Sequence, residues 1–348
     1  MRGMQEIELK FQIPASKAST VREAVASIAG SIEPLALQAA YFDTADSRLA
    51  SHKMALRVRR EGADWVQTFK AAGRDAMTRV EDNQPANAPL DGRLKPDLAL
   101  HTSKAVRQAL ARAWARDDVG GATADELGLK AVYETRFERW SCQQSHPRGQ
   151  VIVCVDIGEV QAGALREPLN ELEIELTEGR AEAVIDTARH WVDTHGVWLD
   201  VQSKAYRGTR LAQANRSGQT ADARPVAHTL GTWLSTDLSG DKLDTARILS
   251  AALDASAGNL SEVAAGRPGW PEALVAWHDT TASLLLLADR HEVVREALPS
   301  KFWEATRQIL SELAQLQGDQ PDATSAQALA CSASVTHWGL DLLTAIRR

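Results

Sequence analysis

The sequence predicts an α+β protein in which an antiparallel sheet or closed barrel of about eight strands precedes an all-α bundle. Residues 1 to about 210 repeatedly alternate apolar and polar side chains, which is the period of a β-strand. Residues from about 228 onward follow the period of a helix instead. Most predicted strands are separated by short segments, and short connections favour antiparallel pairing over a parallel α/β sheet.

The first strand shows the alternation most clearly. Residues 6–13 place four apolar side chains on one face and four polar ones, beginning with Glu6, Glu8 and Lys10, on the other. An amphipathic helix is predicted between Pro14 and Gly30. Further strands are predicted at about residues 37–43, 54–61, 64–71, 77–84, 131–142, 150–160 and 169–177. Residues 95–116 and 179–196 are predicted to be helical, and a short tail containing Ser203–Gly208 follows.

The second half of the chain has almost no strand pattern. Helices are predicted at residues 243–260, 271–289, 291–298, 301–316 and 326–346, which suits a small bundle. Residues 212–227 are mostly small and polar and include a proline, as in an exposed linker. The predicted domains are therefore 1–211 and 228–348, joined by the linker 212–227.

Composition and charge exclude several classes of protein. With 348 residues, 44% of them hydrophobic, the chain can bury substantial cores. A net charge of −7 gives no general attraction to nucleic acid or to an anionic membrane. The apolar stretch 284–288 is too short to span a bilayer, and residues 1–13 lack the apolar core of a signal peptide, so we expect a cytoplasmic protein. The three cysteines are too far apart to indicate a zinc site or a disulfide framework.

Charged side chains recur on single faces of the predicted strands. Glu171, Glu173 and Glu175 alternate with apolar residues, and Arg57 and Arg59 do the same on another strand. These could be the solvated faces of a half-exposed sheet. Glutamate is a poor strand former, however, and three alternating copies need a compensating interaction. Carboxylates in a row supply oxygen ligands for Mg²⁺ or Mn²⁺, and arginines and lysines bind phosphate oxygens, so the pattern indicates a site for a metal and a polyphosphate.

The order of these segments resembles a known family. Glu6-Ile-Glu-Leu-Lys10 is similar to the N-terminal ExExK signature of CYTH domains, the triphosphate tunnel metalloenzymes. The matching segments that follow, in order, are 41–43, 56–59, Lys70, 79–81, 135–139, 155–158, 171–175 and 203–204. The resemblance covers about residues 4–210. The chain as a whole is similar to bacterial inorganic triphosphatases that join a CYTH domain to a helical CHAD-like domain.

This resemblance implies an eight-stranded antiparallel tunnel that hydrolyses inorganic triphosphate with Mg²⁺, or with Mn²⁺ as the alternative metal. Carried over by position, the residues implied to bind phosphate oxygens are Lys10, Arg57, Arg59, Lys70, Arg79, Arg139 and Lys204. Those implied to hold metal or to position water are Glu6, Glu8, Glu81, Asp156, Glu171, Glu173 and Glu175. Glu173, Glu175 and Lys204 are the residues implied to be catalytic.

Several alternatives stay open from the sequence. Arg136 competes with Arg139 for one position because the two lie on opposite faces of the strand, and Arg139 is favoured. Lys204 lies in the tail, so its reach depends on how the tail folds back. The sequence does not distinguish glutamates that bind metal from those that orient water. The same tunnel could belong to a class IV adenylate cyclase or to a triphosphatase acting on thiamine or nucleoside triphosphates. A polyphosphate-binding scaffold is the non-enzymatic alternative.

The helical half resembles a truncated CHAD domain less closely. Residues 216–348 hold 11 Lys and Arg residues against 16 Asp and Glu residues, and such an acidic region is a poor host for a polyanion. We expect it to pack on the tunnel or to mediate self-association, giving a homo-oligomer. The expected partner is a small triphosphate, with neither nucleic acid nor membrane involved.

Overall fold

The computed structural model describes residues 5–30, 33–73, 77–88, 94–235, 244–318 and 321–347. The strands in these ranges are β1 (Gln5–Gln12), β2 (Leu35–Asp43), β3 (Met54–Glu61), β4 (Asp64–Ala72), β5 (Thr78–Ala86), β6 (Lys130–His146), β7 (Gly149–Ala162), β8 (Leu165–Gly179) and β9 (Trp198–Leu199). The α-helices are α1 (Ala18–Ala29), α2 (Arg48–Ser51), α3 (Lys104–Trp114), α4 (Ala181–His195), α5 (Lys204–Ser217), α6 (Gly231–Ser235), α7 (Thr245–Ala265), α8 (Trp270–Arg290), α9 (Glu292–Glu296), α10 (Ser300–Leu316), α11 (Ala323–Ala330) and α12 (Ala333–Ile346).

Eight of the described strands form a closed antiparallel barrel. Neighbouring strands follow the order β5-β4-β3-β2-β6-β7-β8-β1, and β1 pairs back onto β5. The closing pair places Gln5 opposite Val80 and Ile7 opposite Thr78. The short strand β9 pairs with the far end of β1, where Phe11 lies opposite Leu199. The predicted α+β class, with a closed antiparallel barrel followed by a helical region, is confirmed.

Alternation along the strands separates the two faces of the barrel. Leu56 and Val58 of β3 and Phe69 of β4 are buried in one apolar core with Val106 and Leu110 of α3. This core lies on the outer face, which is covered by the helix. Since successive side chains point to opposite faces, the charged residues that alternate with these apolar ones point into the barrel.

Helix α5 packs against the inner face of the barrel. Leu211 of this helix shares a buried apolar core with Tyr41, Tyr133 and Phe137, and the Tyr41 and Tyr133 rings stack with centroids 4.6 Å apart. Gly208 permits the close approach, because a Cβ at this position would lie 2.1 Å from Cδ2 of Tyr133. Part of the inner face is therefore apolar and covered by α5.

The helix α5 was not predicted from the sequence. The residues expected to form a tail begin this helix, and Ser203 caps its first turn by accepting a hydrogen bond from the Tyr206 amide at 3.1 Å. The helix continues through residues 212–217, the first part of the predicted linker, and ends at Gly218 with a φ of 67°. Its polar composition is misleading because Leu211, Ala212 and Ala214 bury one side of it.

The C-terminal region is helical, as predicted. Helices α7, α8, α9 and α10 match four predicted segments to within a few residues, although Leu243, the predicted start of the first, lies outside the described residues. The fifth segment, 326–346, is two helices rather than one. Ser332 accepts a hydrogen bond from the Val335 amide at 3.3 Å and so begins α12 as a separate helix. Phe302 and Trp338 stack in the core of this region, with ring centroids 5.8 Å apart.

The chain forms two compact units that are not consecutive in sequence. One contains Ala15–Arg180 and Gln202–Gln219 with β1 as far as Leu9, and the other contains Lys10–Pro14, Ala181–Val201 and the residues from Thr220 onward. The predicted domains 1–211 and 228–348 are consecutive, and their boundaries stay a prediction. Across the described residues, we find no helix both long and apolar enough to cross a membrane.

Candidate active site inside the barrel

The strand register brings most of the predicted site residues to the inner face of the barrel. Glu6 lies opposite Arg79, Lys70 opposite Glu81, and Arg139 opposite Asp156. Asp156 in turn lies opposite Glu171. Paired residues share a face, and residues two apart on a strand share it as well. The set on this face comprises Glu6, Glu8, Arg57, Arg59, Lys70, Arg79, Glu81, Arg139, Asp156, Glu171, Glu173 and Glu175.

Lys204 of α5 joins three of these carboxylates. Its Nζ lies 2.8 Å from Oδ2 of Asp156 and 2.9 Å from Oε1 of Glu173, and it also contacts Oε2 of Glu171. Burial lowers the pKa of Lys204, but the three carboxylates together raise it by more. The pKa therefore lies well above its ordinary value. One oxygen from each of the three carboxylates falls within 4.8 Å of the others, so this buried acidic cluster could bind a metal ion.

Arg139 lies beside Lys204 and binds two of the same carboxylates. Its Nε and Nη2 donate to the two oxygens of Asp156 at 2.6 Å each, and Nη2 also donates to Glu173 at 2.5 Å. Burial raises the pKa of Asp156, but Arg139 and Lys204 lower it by more, so it stays ionised. Arg136 is half exposed and pairs with Glu134 at 2.9 Å. The structure therefore brings Arg139, and not Arg136, into the cluster.

A second group of acids surrounds Lys70. Its Nζ lies 3.4 Å from Oε2 of Glu6 and also contacts Oε2 of Glu81. Burial raises the pKa of Glu6 to about 9, against the opposing charge of Lys70 and with a further contribution from a hydrogen bond to Glu81. Burial also raises the pKa of Glu81, but Lys70 and Glu6 hold it well below its ordinary value. The hydrogen bond between the two carboxyls accompanies these opposite shifts, so Glu6 keeps its proton to higher pH than Glu81 does.

Glu175 and Glu8 belong to this second group as well. Burial raises the pKa of Glu175, and the charges of Glu8 and Glu81 raise it further. Glu8 is 5% exposed. The charges of Glu8 and Glu81 therefore act on both Glu6 and Glu175, with Lys70 as the nearby cation.

Arg57 and Arg59 supply guanidinium groups to the same interior. Arg59 Nε donates to Glu61 at 2.6 Å, and Arg57 Nη1 donates to the Tyr41 hydroxyl at 3.4 Å. Burial lowers the pKa of Arg59, and the nearby charge of Arg57 lowers it further. The charge of Glu61 opposes this shift, and that of Arg139 adds to it. Nε of Arg57 is buried and has no hydrogen-bonding partner among the described residues. A buried guanidinium donor without a partner is suited to an anion.

The remaining predicted phosphate ligands are Arg79 and Lys10. Arg79 lies opposite Glu6 and so on the inner face of the barrel. Its Nη1 donates to the carbonyl oxygen of Thr78 at 3.0 Å. Lys10 lies on the same face of β1 as Glu6 and Glu8, but it belongs to the second compact unit.

Sequence reasoning missed Arg207, which lies one turn after Lys204 on α5. Its side chain is 7% exposed and pairs with Glu167 at 2.7 Å and with Glu171 at 3.2 Å. The only available indication was the three-residue spacing of Lys204 and Arg207, which matters only once residues 204–217 are known to be helical.

Asp43, part of the matched segment 41–43, binds backbone amides near it in the chain. Its carboxylate accepts hydrogen bonds from the amides of Thr44, Leu49 and Ala50 at 2.7, 2.8 and 3.1 Å. It therefore holds the turn from β2 into α2.

Comparisons with known proteins identify a family and a curated relative that this chain resembles. The model of the CYTH domain family matches residues 4–208. An inorganic triphosphatase of Haemophilus influenzae is 26% identical over 219 residues, which are 60% of this chain and 55% of that protein. The chain therefore spans only about half the length of this curated relative.

Two solved structures are also similar to this chain, at lower sequence identity. A Hippeastrum protein, described as a proposed adenylyl cyclase with a dominant triphosphatase activity, is 21% identical, covers 62% of this chain and 96% of its own, and has a TM-score of 0.43. A proposed adenylate cyclase from Bacillus halodurans is 19% identical, covers 56% of this chain and 91% of its own, and has a TM-score of 0.39.

Proposed function

Because the chain belongs to the CYTH domain family, whose model matches residues 4–208, we propose that it hydrolyses inorganic triphosphate to pyrophosphate and phosphate with a divalent metal. One observation carries the proposal. The inner face of the barrel holds buried arginines that repel one another beside buried glutamates that repel one another. A short, highly charged anion together with a metal cation would relieve both repulsions.

The phosphate chain is held by the basic side chains of the inner face. Support comes first from Arg57, whose buried Nε has no partner among the described residues, and from Arg59, whose charge faces those of Arg57 and Arg139. Charge-assisted hydrogen bonds from guanidinium groups match phosphate oxygens in geometry and charge. The full proposed set is Lys10, Arg57, Arg59, Lys70, Arg79, Arg139 and Lys204.

The residues fit a hard divalent cation, because the donor set consists of carboxylates. Glu6, Glu8, Glu81 and Glu175 are the first candidates, since four acids surround one lysine there. Asp156, Glu171 and Glu173 are the alternative candidates, although Lys204 already contacts all three. Mg²⁺, with Mn²⁺ as the alternative, prefers such oxygen ligands. When bound, the metal would neutralise phosphate charge and acidify water.

The chain's own groups then align and assist the reaction. Glu175, whose pKa is raised by burial and by the charge of Glu8, is suited to orient the attacking water and accept its proton. Glu173, held by Arg139 and Lys204, is the second candidate for this role. Lys204 stays protonated and stabilises the negative charge of the phosphates during transfer.

Parallel incubations with tripolyphosphate, ATP and thiamine triphosphate test the proposal, each with Mg²⁺, with Mn²⁺ and with a chelator. We expect phosphate release to be fastest from tripolyphosphate and to stop without metal. Cyclic nucleotide formed from ATP would favour the cyclase alternative, and faster hydrolysis of ATP or thiamine triphosphate would favour an organic triphosphatase. Tight binding of tripolyphosphate without turnover under any condition would favour a binding scaffold.

Other features expected from the sequence stay predictions. They are the similarity of the helical region to CHAD domains, its role in forming a homo-oligomer, the cytoplasmic location and the absence of nucleic-acid partners.

A further inference from the structure

Arg207 is anchored to β8 through three polar groups. Its Nε pairs with Glu167 at 2.7 Å, its Nη1 pairs with Glu171 at 3.2 Å, and its Nη2 donates to the carbonyl oxygen of Pro168 at 2.6 Å. The side chain is 7% exposed. A buried guanidinium with these contacts fixes the position of the helix that carries it relative to the strand.

Glu171 connects Arg207 with Lys204. One of its carboxylate oxygens, Oε1, faces Arg207, and the other, Oε2, contacts the Lys204 ammonium. Glu171 is 1% exposed. Since both oxygens already have cationic partners from α5, removing Arg207 would leave one buried oxygen of Glu171 without its cation and free the carboxylate to move.

The spacing on α5 explains why one helix can supply both cations. Lys204 and Arg207 are three residues apart and therefore lie on the same side of the helix. Lys204 starts the helix directly after the capping residue Ser203, where helix ends tend to fray. Arg207 is one turn further in, where it can hold that end against β8.

We infer that Arg207 is a positioning residue, which acts through Glu171 to keep the Lys204 ammonium between Asp156 and Glu173 on the inner face of the barrel. This inference rests on the proposed function for its catalytic consequence. Its structural consequence, the placement of the Lys204 ammonium, can be measured without any turnover.

A double-mutant cycle tests the catalytic consequence. We expect Arg207→Gln to lower kcat/KM for tripolyphosphate by about tenfold, within the range for residues that are directly coupled, and Arg207→Lys to recover part of the loss. In a Lys204→Met background, Arg207→Gln should cause no further loss. If the two losses multiply, Arg207 acts independently of Lys204, as a direct ligand of the substrate would, and the inference is wrong.

Nitrogen NMR of the lysine side chains tests the structural consequence. The Lys204 ammonium is buried in ion pairs, so its protons should exchange slowly and give a signal that is absent in Lys204→Met. Arg207→Gln should shift or broaden this signal. Arg216→Gln is the matched control, because Arg216 lies on the exposed end of α5 and donates to Ser47 at 3.2 Å; it should change neither signal nor activity.

The two readouts separate failure of the inference from failure of the proposed function. If the wild type does not hydrolyse tripolyphosphate but Arg207→Gln moves the Lys204 signal, the proposed function is wrong and the positioning role stands. If the wild type is active and the signal is unchanged in Arg207→Gln, the inference is wrong. Should Arg207→Gln fail to fold, Arg207→Lys replaces it in both experiments. We then expect a smaller loss of kcat/KM that disappears in the Lys204→Met background, and a smaller shift of the Lys204 signal.

Discussion

The two acidic groups inside the barrel differ in how their charge is balanced. Asp156, Glu171 and Glu173 surround Lys204, and Arg139 pairs with two of them. The other group has Lys70 near Glu6 and Glu81, and the proton that Glu6 keeps balances part of the remaining charge. A bound divalent cation would therefore stabilise the acids around Lys70 more than those around Lys204.

Arg59→Ala should weaken the binding of triphosphate. It removes a guanidinium whose charge-assisted hydrogen bonds contribute about 1.5 to 3 kcal/mol each, so KM should rise by roughly tenfold or more, and salt should weaken the remaining affinity further. Initial rates over a range of tripolyphosphate concentrations measure the effect. Arg136→Ala is the control, because Arg136 is half exposed and pairs with Glu134 outside the cluster. Equal KM values for the two variants would contradict the proposed phosphate site.

Glu6 should make the metal-free protein less stable as pH rises. Its folded pKa of about 9 lies above the ordinary value of 4.5, so the folded state retains a proton that the unfolded state has lost. The stabilisation is complete below about pH 4.5 and is lost as pH rises through about 9. The slope is at most about 1.4 kcal/mol per pH unit. Glu81, whose pKa is lowered, is ionised in both states above pH 6 and adds no slope there.

Thermal melts of chelator-treated protein between pH 6.5 and 9 measure this slope. Glu6→Gln should flatten the decline in melting temperature relative to the wild type. Glu134→Gln, on an exposed ion pair, should leave the decline unchanged. Identical slopes for wild type and Glu6→Gln would contradict the raised pKa of Glu6.

At the scale of elements, α5 determines what the barrel can hold. It covers the apolar part of the inner face through Leu211 and Ala212 and carries Lys204 and Arg207 to the acids of β8. Tyr41 and Tyr133 are 4% and 5% exposed. These two residues therefore offer no open stacking surface for a nucleobase.

Gly208→Ala should displace α5. The new Cβ would lie 2.1 Å from Cδ2 of Tyr133, and the buried ring has little room to move. Overpacking of this kind costs about 1 to 3 kcal/mol, more than the roughly 1 kcal/mol that alanine gains over glycine in a helix. Urea unfolding should show the loss of stability, and turnover should fall because Lys204 lies one turn away on the same helix.

Gly121→Ala is the control for this substitution, since a Cβ placed there would meet no described atom within 4 Å beyond its own neighbouring stretch of chain. Its stability should stay within about 0.5 kcal/mol of the wild type. If Gly208→Ala is as stable and as active as Gly121→Ala, the close contact between α5 and Tyr133 does not constrain the helix.

The strands could be predicted from the sequence because side-chain parity is a local property. Arg57 and Arg59 alternate with buried residues, and that alternation alone assigns them to the opposite face. The contact between Glu6 and Glu81 could not be predicted, because it depends on β1 pairing with β5 across more than 70 residues of chain. Helix α5 was missed because its polar composition suits an exposed segment, and its buried side is explained only by the barrel it packs on.

At the scale of the whole molecule, the C-terminal helices complete a unit that includes α4. Arg189 of α4 pairs with Asp341 of α12 at 2.7 Å, and Asp193 contacts His337 at 2.6 Å. Trp191 of α4 is 1% exposed. The helix α4, between β8 and α5, therefore packs on a helix that lies more than 130 residues further along the chain.

A chain truncated after Gln219 should be less stable than the full chain. It retains α4 but lacks α12, so the surface of α4 that packs on α12 becomes exposed. Thermal melts and light scattering should show a lower melting temperature or association. A truncated protein that stays monomeric and melts cooperatively at the original temperature would contradict this dependence.

Phosphorus NMR of tripolyphosphate incubated with the full chain and Mg²⁺ tests the proposed hydrolysis, because it identifies every product in one time course. We expect pyrophosphate and phosphate to appear in equal amounts, and we expect a chelator to stop their formation. Unchanged tripolyphosphate with every divalent metal tried, while ATP in a parallel sample is converted to a cyclic nucleotide and pyrophosphate, would contradict the proposed hydrolysis.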